Sequence, residues 1–153
     1  MKIVIAVAVV AFALLMLIRW RTAPLYKVNA ADIPAVVAKL NGLPESSWVV
    51  FMFFAPGSKP EDDAVNLQYS VERGSVGLDW VLKSRQNIKD KERLKSFIAQ
   101  NSLRAEAREM NNVRYLRVEG SGIEQLGVKI ITEFYGISAS TSMEFYAEGF
   151  EWK

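Results

Sequence analysis

The chain contains no cysteine and no histidine. That excludes a disulfide framework, Cys-His and Ser-His-Asp nucleophile systems, and zinc sites built on thiolate or imidazole. Catalysis would have to run on Asp, Glu, Lys, Ser, Thr, Tyr or Arg. Other chemical signatures are missing too: G-x-S-x-G, a Ser with Lys three residues on, the Walker phosphate loop and G-x-G-x-x-G. Gly-Ser-Gly at Gly120 to Gly122 follows a strand pattern, but its glycines are too few for a phosphate loop, and it reads as a helix-start turn. Glu61, Asp62 and Asp63 cluster without the alternating ligand spacing of a calcium loop, and read as a solvated turn. No cofactor and no metal are expected.

Charge is also missing, over one long stretch. Ile3 to Ile18 holds only Ile, Val, Ala, Phe, Leu and Met. As a helix from Met1 to Trp20 it would reach about 30 Å, the thickness of a bilayer's hydrocarbon core. Ile3, Ala6, Phe12, Leu15 and Ile18 would face lipid. Arg19, Trp20 and Arg21 would sit at the headgroups, the arginines snorkelling and the indole anchoring. The rival reading is a cleaved signal peptide with Lys2 as its charged start. Arg19-Trp20-Arg21 is a stop-transfer flank, and no small-residue cleavage site closes the apolar run, so a retained single-pass signal-anchor is expected. Arg19, Arg21 and Lys27 against Lys2 and the α-amine place the following domain on the cytoplasmic side by about one charge. A bacterial inner membrane is the expected location; a periplasmic domain is the alternative topology.

The organisation expected is an anchor over 1–21, a tether over 22–30 and a single domain over 31–153. Without the four basic residues of the membrane flank, 15 basic residues face 17 acidic ones. A nucleic-acid binder would usually be basic over its domain, so no nucleic-acid partner is expected. Charge is nevertheless uneven: Lys83 to Val118 carries ten basic and four acidic residues, and the segments before and after it are acidic.

Hydrophobic periodicity supplies the fold. Asn29 to Gly42 reads as a helix, with Asn29 or Asp32 as cap, Pro34 in its first turn and Gly42 as its stop. Trp48 to Phe54 is an unbroken apolar run, expected as a central strand buried on both faces. Val65, Leu67, Tyr69 and Val71 alternate with polar residues. So do Val76, Leu78, Trp80 and Leu82 after Arg73-Gly74-Ser75, which makes a hairpin. Asp79 falls on its polar side with Gly77 and reads as a surface carboxylate. Arg85 to Ser102 is an amphipathic helix capped by Asn87, with Asp90 as a weaker box partner. A second hairpin turns at Asn111-Asn112. A last helix is expected from Ser121, boxed by Glu124, to Gly136, followed by a strand through Met143, Phe145 and Ala147. The fold class expected is α+β: one mainly antiparallel sheet of about six strands, with helices on one face.

These observations lead to a membrane-tethered α+β interaction module. It would bind a protein partner or an anionic surface through its sheet face or its basic helix. Lys89, Lys91, Arg93 and Lys95 are the candidate anionic-partner contacts; lipid is engaged through the leading segment. Two alternatives stand beside it. One is a His- and Cys-independent hydrolase or transferase using carboxylates such as Glu106, Glu109, Glu144 or Glu148. The other is a secreted binding or inhibitor domain, should the leading segment be cleaved.

Overall fold

The computed structural model describes residues 25–59 and 61–152. The membrane anchor expected over 1–21 lies outside them. Among the described residues no helix is long and apolar enough to cross a membrane.

The chain runs β1 (Tyr26–Val28), a 3-10 turn (Ala30–Asp32), α1 (Ile33–Leu40), β2 (Trp48–Phe53), β3 (Val65–Glu72) and β4 (Ser75–Val81). It continues through α2 (Arg85–Gln100), β5 (Ala105–Met110), β6 (Val113–Val118), α3 (Ile123–Lys129), a π turn (Ile130–Phe134) and β7 (Met143–Glu148). Seven strands form one sheet in the order β1-β7-β2-β3-β4-β6-β5, every pair antiparallel. This is the α+β class expected, with one more strand. The addition is β1, which falls within the segment read as a tether and hydrogen-bonds to β7 from Tyr26↔Phe145 to Val28↔Met143.

Local chemistry sets most boundaries. Asn29 and Asp32 exchange side-chain bonds with each other's backbone and start the first helical stretch, with Pro34 in the opening turn of α1. The β3–β4 and β5–β6 hairpins turn at Arg73-Gly74 and Asn111-Asn112, all four with positive φ. That backbone matches the strands' twist in two-residue turns. The π turn closes at Gly136, φ 68, with the Ile137 amide donating to the Ile131 carbonyl.

Two caps differ from expectation. Ser84, not Asn87, caps α2, its Oγ accepting from the Asn87 amide at 3.0 Å. Gly122, at φ 89, starts α3 without a side-chain cap, so Ser121 and Glu124 form no box. Asn87 is used differently. The β3–β4 ladder ends at Gln68↔Asp79. Beyond it the buried Asn87 amide accepts from the Asn66 amide (3.1 Å) and donates to the carbonyls of Asn66 (2.8 Å) and Val81 (2.9 Å). A side chain thus replaces a missing rung.

The core lies between the helices and one sheet face. Val49, Phe51, Leu67, Tyr69, Leu78, Trp80, Val118 and Phe145 are fully buried there against Ile33, Leu40, Leu94, Ile98 and Ile130. Gly127 belongs to α3 because Tyr69 needs the space. Any Cβ at Gly127 would overlap the Tyr69 hydroxyl, which donates to the Ile123 carbonyl at 2.8 Å.

Candidate functional site

Strand parity sends the alternate residues to the other face, which no helix covers among the described residues. The expectation that β2 is buried on both faces is corrected here. Its burial alternates: Val49, Phe51 and Phe53 are buried, whereas Trp48, Val50 and Met52 are half-buried on the open side. Tyr146 stands opposite Val50 on β7 and is half-buried as well. Glu144 and Glu148 on the same face of β7 are exposed, and Lys27 on β1 lies opposite Glu144. The apolar strip is therefore flanked by carboxylates on β7 and by the neutral Asn66, Gln68 and Ser70 on β3.

The other half of this face is an ion network built from β3, β4, β5 and β6. Asp79 pairs with Arg117 across β4–β6, and both residues are 1% exposed. Asp79 is thus a buried carboxylate rather than the surface group expected. A polar strand side was assumed to meet water; here the Arg117 side chain lies over it. Arg117 Nη1 donates to Asp79 Oδ1 at 2.9 Å and to Ser70 Oγ at 3.0 Å, and Nε donates to Glu119 Oε1 at 2.7 Å. Nη2 reaches the carbonyls of Ser75 (3.1 Å) and Ser70 (3.4 Å). The Ser70 hydroxyl in turn donates to Asp79. Among the described residues no buried side-chain nitrogen or oxygen lacks a partner, which is the condition for a buried ion pair to be tolerated at all. Gly77 makes the arrangement possible. A Cβ there would lie 2.6 Å from Arg117 Nη2 and 2.7 Å from Nε, and a guanidinium held by this many acceptors has nowhere to move.

Arg108 extends the network outward. It meets Glu72 at 3.0 Å, Glu106 at 3.2 Å and Glu119 at 3.4 Å, and Glu72 also accepts from the Tyr115 hydroxyl at 2.9 Å. Burial pushes the Asp79 carboxyl up, to about 6, against the pull of Ser70 and Arg117. Burial and the Glu72 carboxylate push the Tyr115 hydroxyl up to about 12. The Arg117 hydrogen bond holds Glu119 below the usual glutamate range. With Asp79 and Arg117 cancelling, this face presents Glu72, Glu106, Glu119, Glu144 and Glu148 against Lys27 and Arg108, a net charge of −3.

The four basic residues singled out on α2 lie far from that face. Lys89 is exposed. Lys91 and Lys95 both approach Glu92, at 3.7 and 3.3 Å. Arg93 approaches Asp90 at 3.4 Å and lies 4.0 Å from the Phe134 ring centroid. Three of the four are thus spent on local partners. Asp90 itself is buried, accepting from Tyr135 (2.7 Å) and Gln86 (2.6 Å). The acidic turn is likewise engaged: Asp62 accepts from the Lys59 amide, and Asp63 accepts from the Arg85 amide and guanidinium at the start of α2. Among the described residues no group of three possible ligands could hold a metal ion.

Of the carboxylates kept as catalytic candidates, Glu106, Glu144 and Glu148 share the open face, and Glu109 has the opposite parity on β5. An open depression of ≈ 590 Å³ lies elsewhere, among Pro34, Val37, Asn41, Ser75, Ile123 and Glu124, and Glu124 is the one carboxylate among its lining residues. It does not hold the acidic pair that glycoside chemistry requires. Arg117, Ser70 and Glu72 were not singled out by sequence reasoning. The available signal was Gly77, a glycine inside a strand on its polar side, which marks close approach by another group. No family model, no curated protein and no solved structure matches the chain.

Proposed function

We propose that this chain is a membrane-tethered interaction module whose open sheet face docks a protein carrying apolar side chains flanked by basic ones. One observation carries the reading: the helices pack on one sheet face, leaving Trp48, Val50, Met52 and Tyr146 half-buried on the other, with Glu144 and Glu148 flanking them on β7 and neutral polar residues on β3. An apolar centre with a charged rim is the anatomy of a protein interface, and aromatic side chains supply most of the energy in such sites. The −3 charge selects a cationic partner and disfavours nucleic acid and anionic lipid at this face. The basic helix is the weaker candidate, because Arg93 already lies against Asp90 and Phe134, and Lys91 and Lys95 are both drawn to Glu92. The apolar run from Ile3 to Ile18 supports retention at a bacterial inner membrane, with the domain on the cytoplasmic side.

Site-specific photo-crosslinking of the full chain in cells tests this. A photoreactive residue replacing Val50 or Tyr146 is expected to give a discrete protein adduct larger than two copies of the chain, in the membrane fraction. The same residue replacing Lys89 is expected to give none. Adducts from Lys89 alone, or from none of the three positions, would overturn the docking face. A water-soluble chain beginning near Ala31 would overturn the tether and favour a secreted binding domain.

A further inference from the structure

The sheet ends on one side at β5, and its outer edge is complementary to itself. A two-residue turn makes Met110 and Val113 a hydrogen-bonded pair, so Met110, Arg108 and Glu106 aim their backbone groups at β6. Ala105, Ala107 and Glu109 therefore aim theirs outward, where they meet no backbone partner among the described residues. Proline, bulges and charged side chains guard an edge against pairing, and the charged residues of β5 are Glu106, Arg108 and Glu109, of mixed sign. β5 has no proline or glycine, runs six residues in unbroken register with β6, and sets Glu106 and Arg108, of opposite sign, side by side on the open face. Ala107, between them, is small and exposed.

We propose that β5 pairs antiparallel with β5 of a second copy, about a twofold axis passing through Ala107. In that register Glu106 of each copy lies opposite the partner's Arg108. Ala105 lies opposite the partner's Glu109, and Ala107 lies opposite its own counterpart. The outward backbone groups then supply about six new hydrogen bonds. The neighbouring symmetric registers are worse on charge: centring on residue 106 sets Glu106 against Glu106, and centring on 108 sets Arg108 against Arg108. Like charges directly opposite one another destabilise a strand pair. The interface is isologous and closes at two copies. It leaves only the three-residue β1 at each end of a continuous sheet. An axis normal to the sheet keeps both open faces on one side, so the dimer would present two docking faces together.

The absence of cysteine makes the test direct. Directly opposed residues of a hydrogen-bonded antiparallel pair have Cα atoms about 5.5 Å apart, inside the range a disulfide bridges. In the full-length chain in detergent, Ala107→Cys is expected to give a disulfide-linked dimer on mild oxidation. Ala105→Cys, displaced from the axis in each copy, is expected to stay reduced. Ala107→Pro removes an outward N–H without touching the β5–β6 ladder, and is expected to halve the protein mass measured by light scattering with an unchanged far-ultraviolet spectrum. Equal cross-linking at 105 and 107, or a dimer that survives Ala107→Pro, would overturn the proposal. So would a wild-type chain that is already monomeric.

Discussion

Asp79 and Arg117 lie 2.9 Å apart and almost wholly out of water, and their energetics are set by desolvation as much as by attraction. Asp79 keeps its proton to about pH 6, against an ordinary 3.8. The folded chain therefore binds more protons than the unfolded one between those values. The stability this group supplies is full below about 3.8 and is lost as pH rises through about 6. The loss is on the order of 3 kcal/mol. Asp79→Asn removes the titration and leaves Arg117 with Glu119 and Glu72. Its deficit relative to wild type in unfolding free energy is expected to be larger near about pH 4.5 than near about pH 7.5. Denaturant unfolding at both values checks this, and a difference that does not change with pH would show that Asp79 is ionised throughout. The alternation of β4 correctly placed Asp79 beside Gly77 on the polar side. It could not show that an arginine 38 residues later would cover it, because burial is a tertiary property and strand parity is a local one.

Elements were legible where their signals were local. Both hairpins follow from alternating apolar residues around Gly or Asn at positive φ, whereas the helical period of α2 found Leu94 and Ile98 but not the polar Asn87 and Asp90, which are buried while Ile88 is exposed. The β1 strand was not legible: Tyr26–Val28 is too short to carry a pattern and exists only because β7 lies beside it. The open face of β2 was misjudged for a related reason. Seven apolar residues look the same whether the second face meets protein or stays uncovered. Asn87 shows how such limits arise within an element. Its place before a helical stripe suggested a cap, whereas the fold uses it to bond Asn66 and Val81 where two strands part. Asn87→Ala would leave an amide and two carbonyls of that gap without partners. It is expected to cost about 3 kcal/mol and to raise amide exchange selectively at Asn66. Hydrogen exchange with mass readout checks both. A loss under about 1 kcal/mol would mean that water replaces the side chain.

At the scale of the whole molecule, charge and burial divide the domain in two. One side is helices over an aromatic and aliphatic core, with α2 carrying five basic residues against its own Asp90 and Glu92. The other is a sheet face bare of helices among the described residues, with an apolar strip on β2 and β7 beside Glu144 and Glu148 and an ion network over β3 to β6. The class of the fold, the single sheet and the one-sided helices could be read from pattern and connection length. The acidity of the open face could not, since it sums residues from several strands whose order no local signal encodes. The central claim is the proposed one, that a partner protein occupies this face in the cell. Hydroxyl-radical footprinting of the full chain measures it directly, comparing native membranes with the purified chain in detergent. Trp48, Met52 and Tyr146 are expected to be protected from oxidation in the membranes and to gain reactivity on purification, while Ile88, 54% exposed on α2, reacts alike in both. Equal oxidation of the three open-face residues in the two preparations would contradict the account.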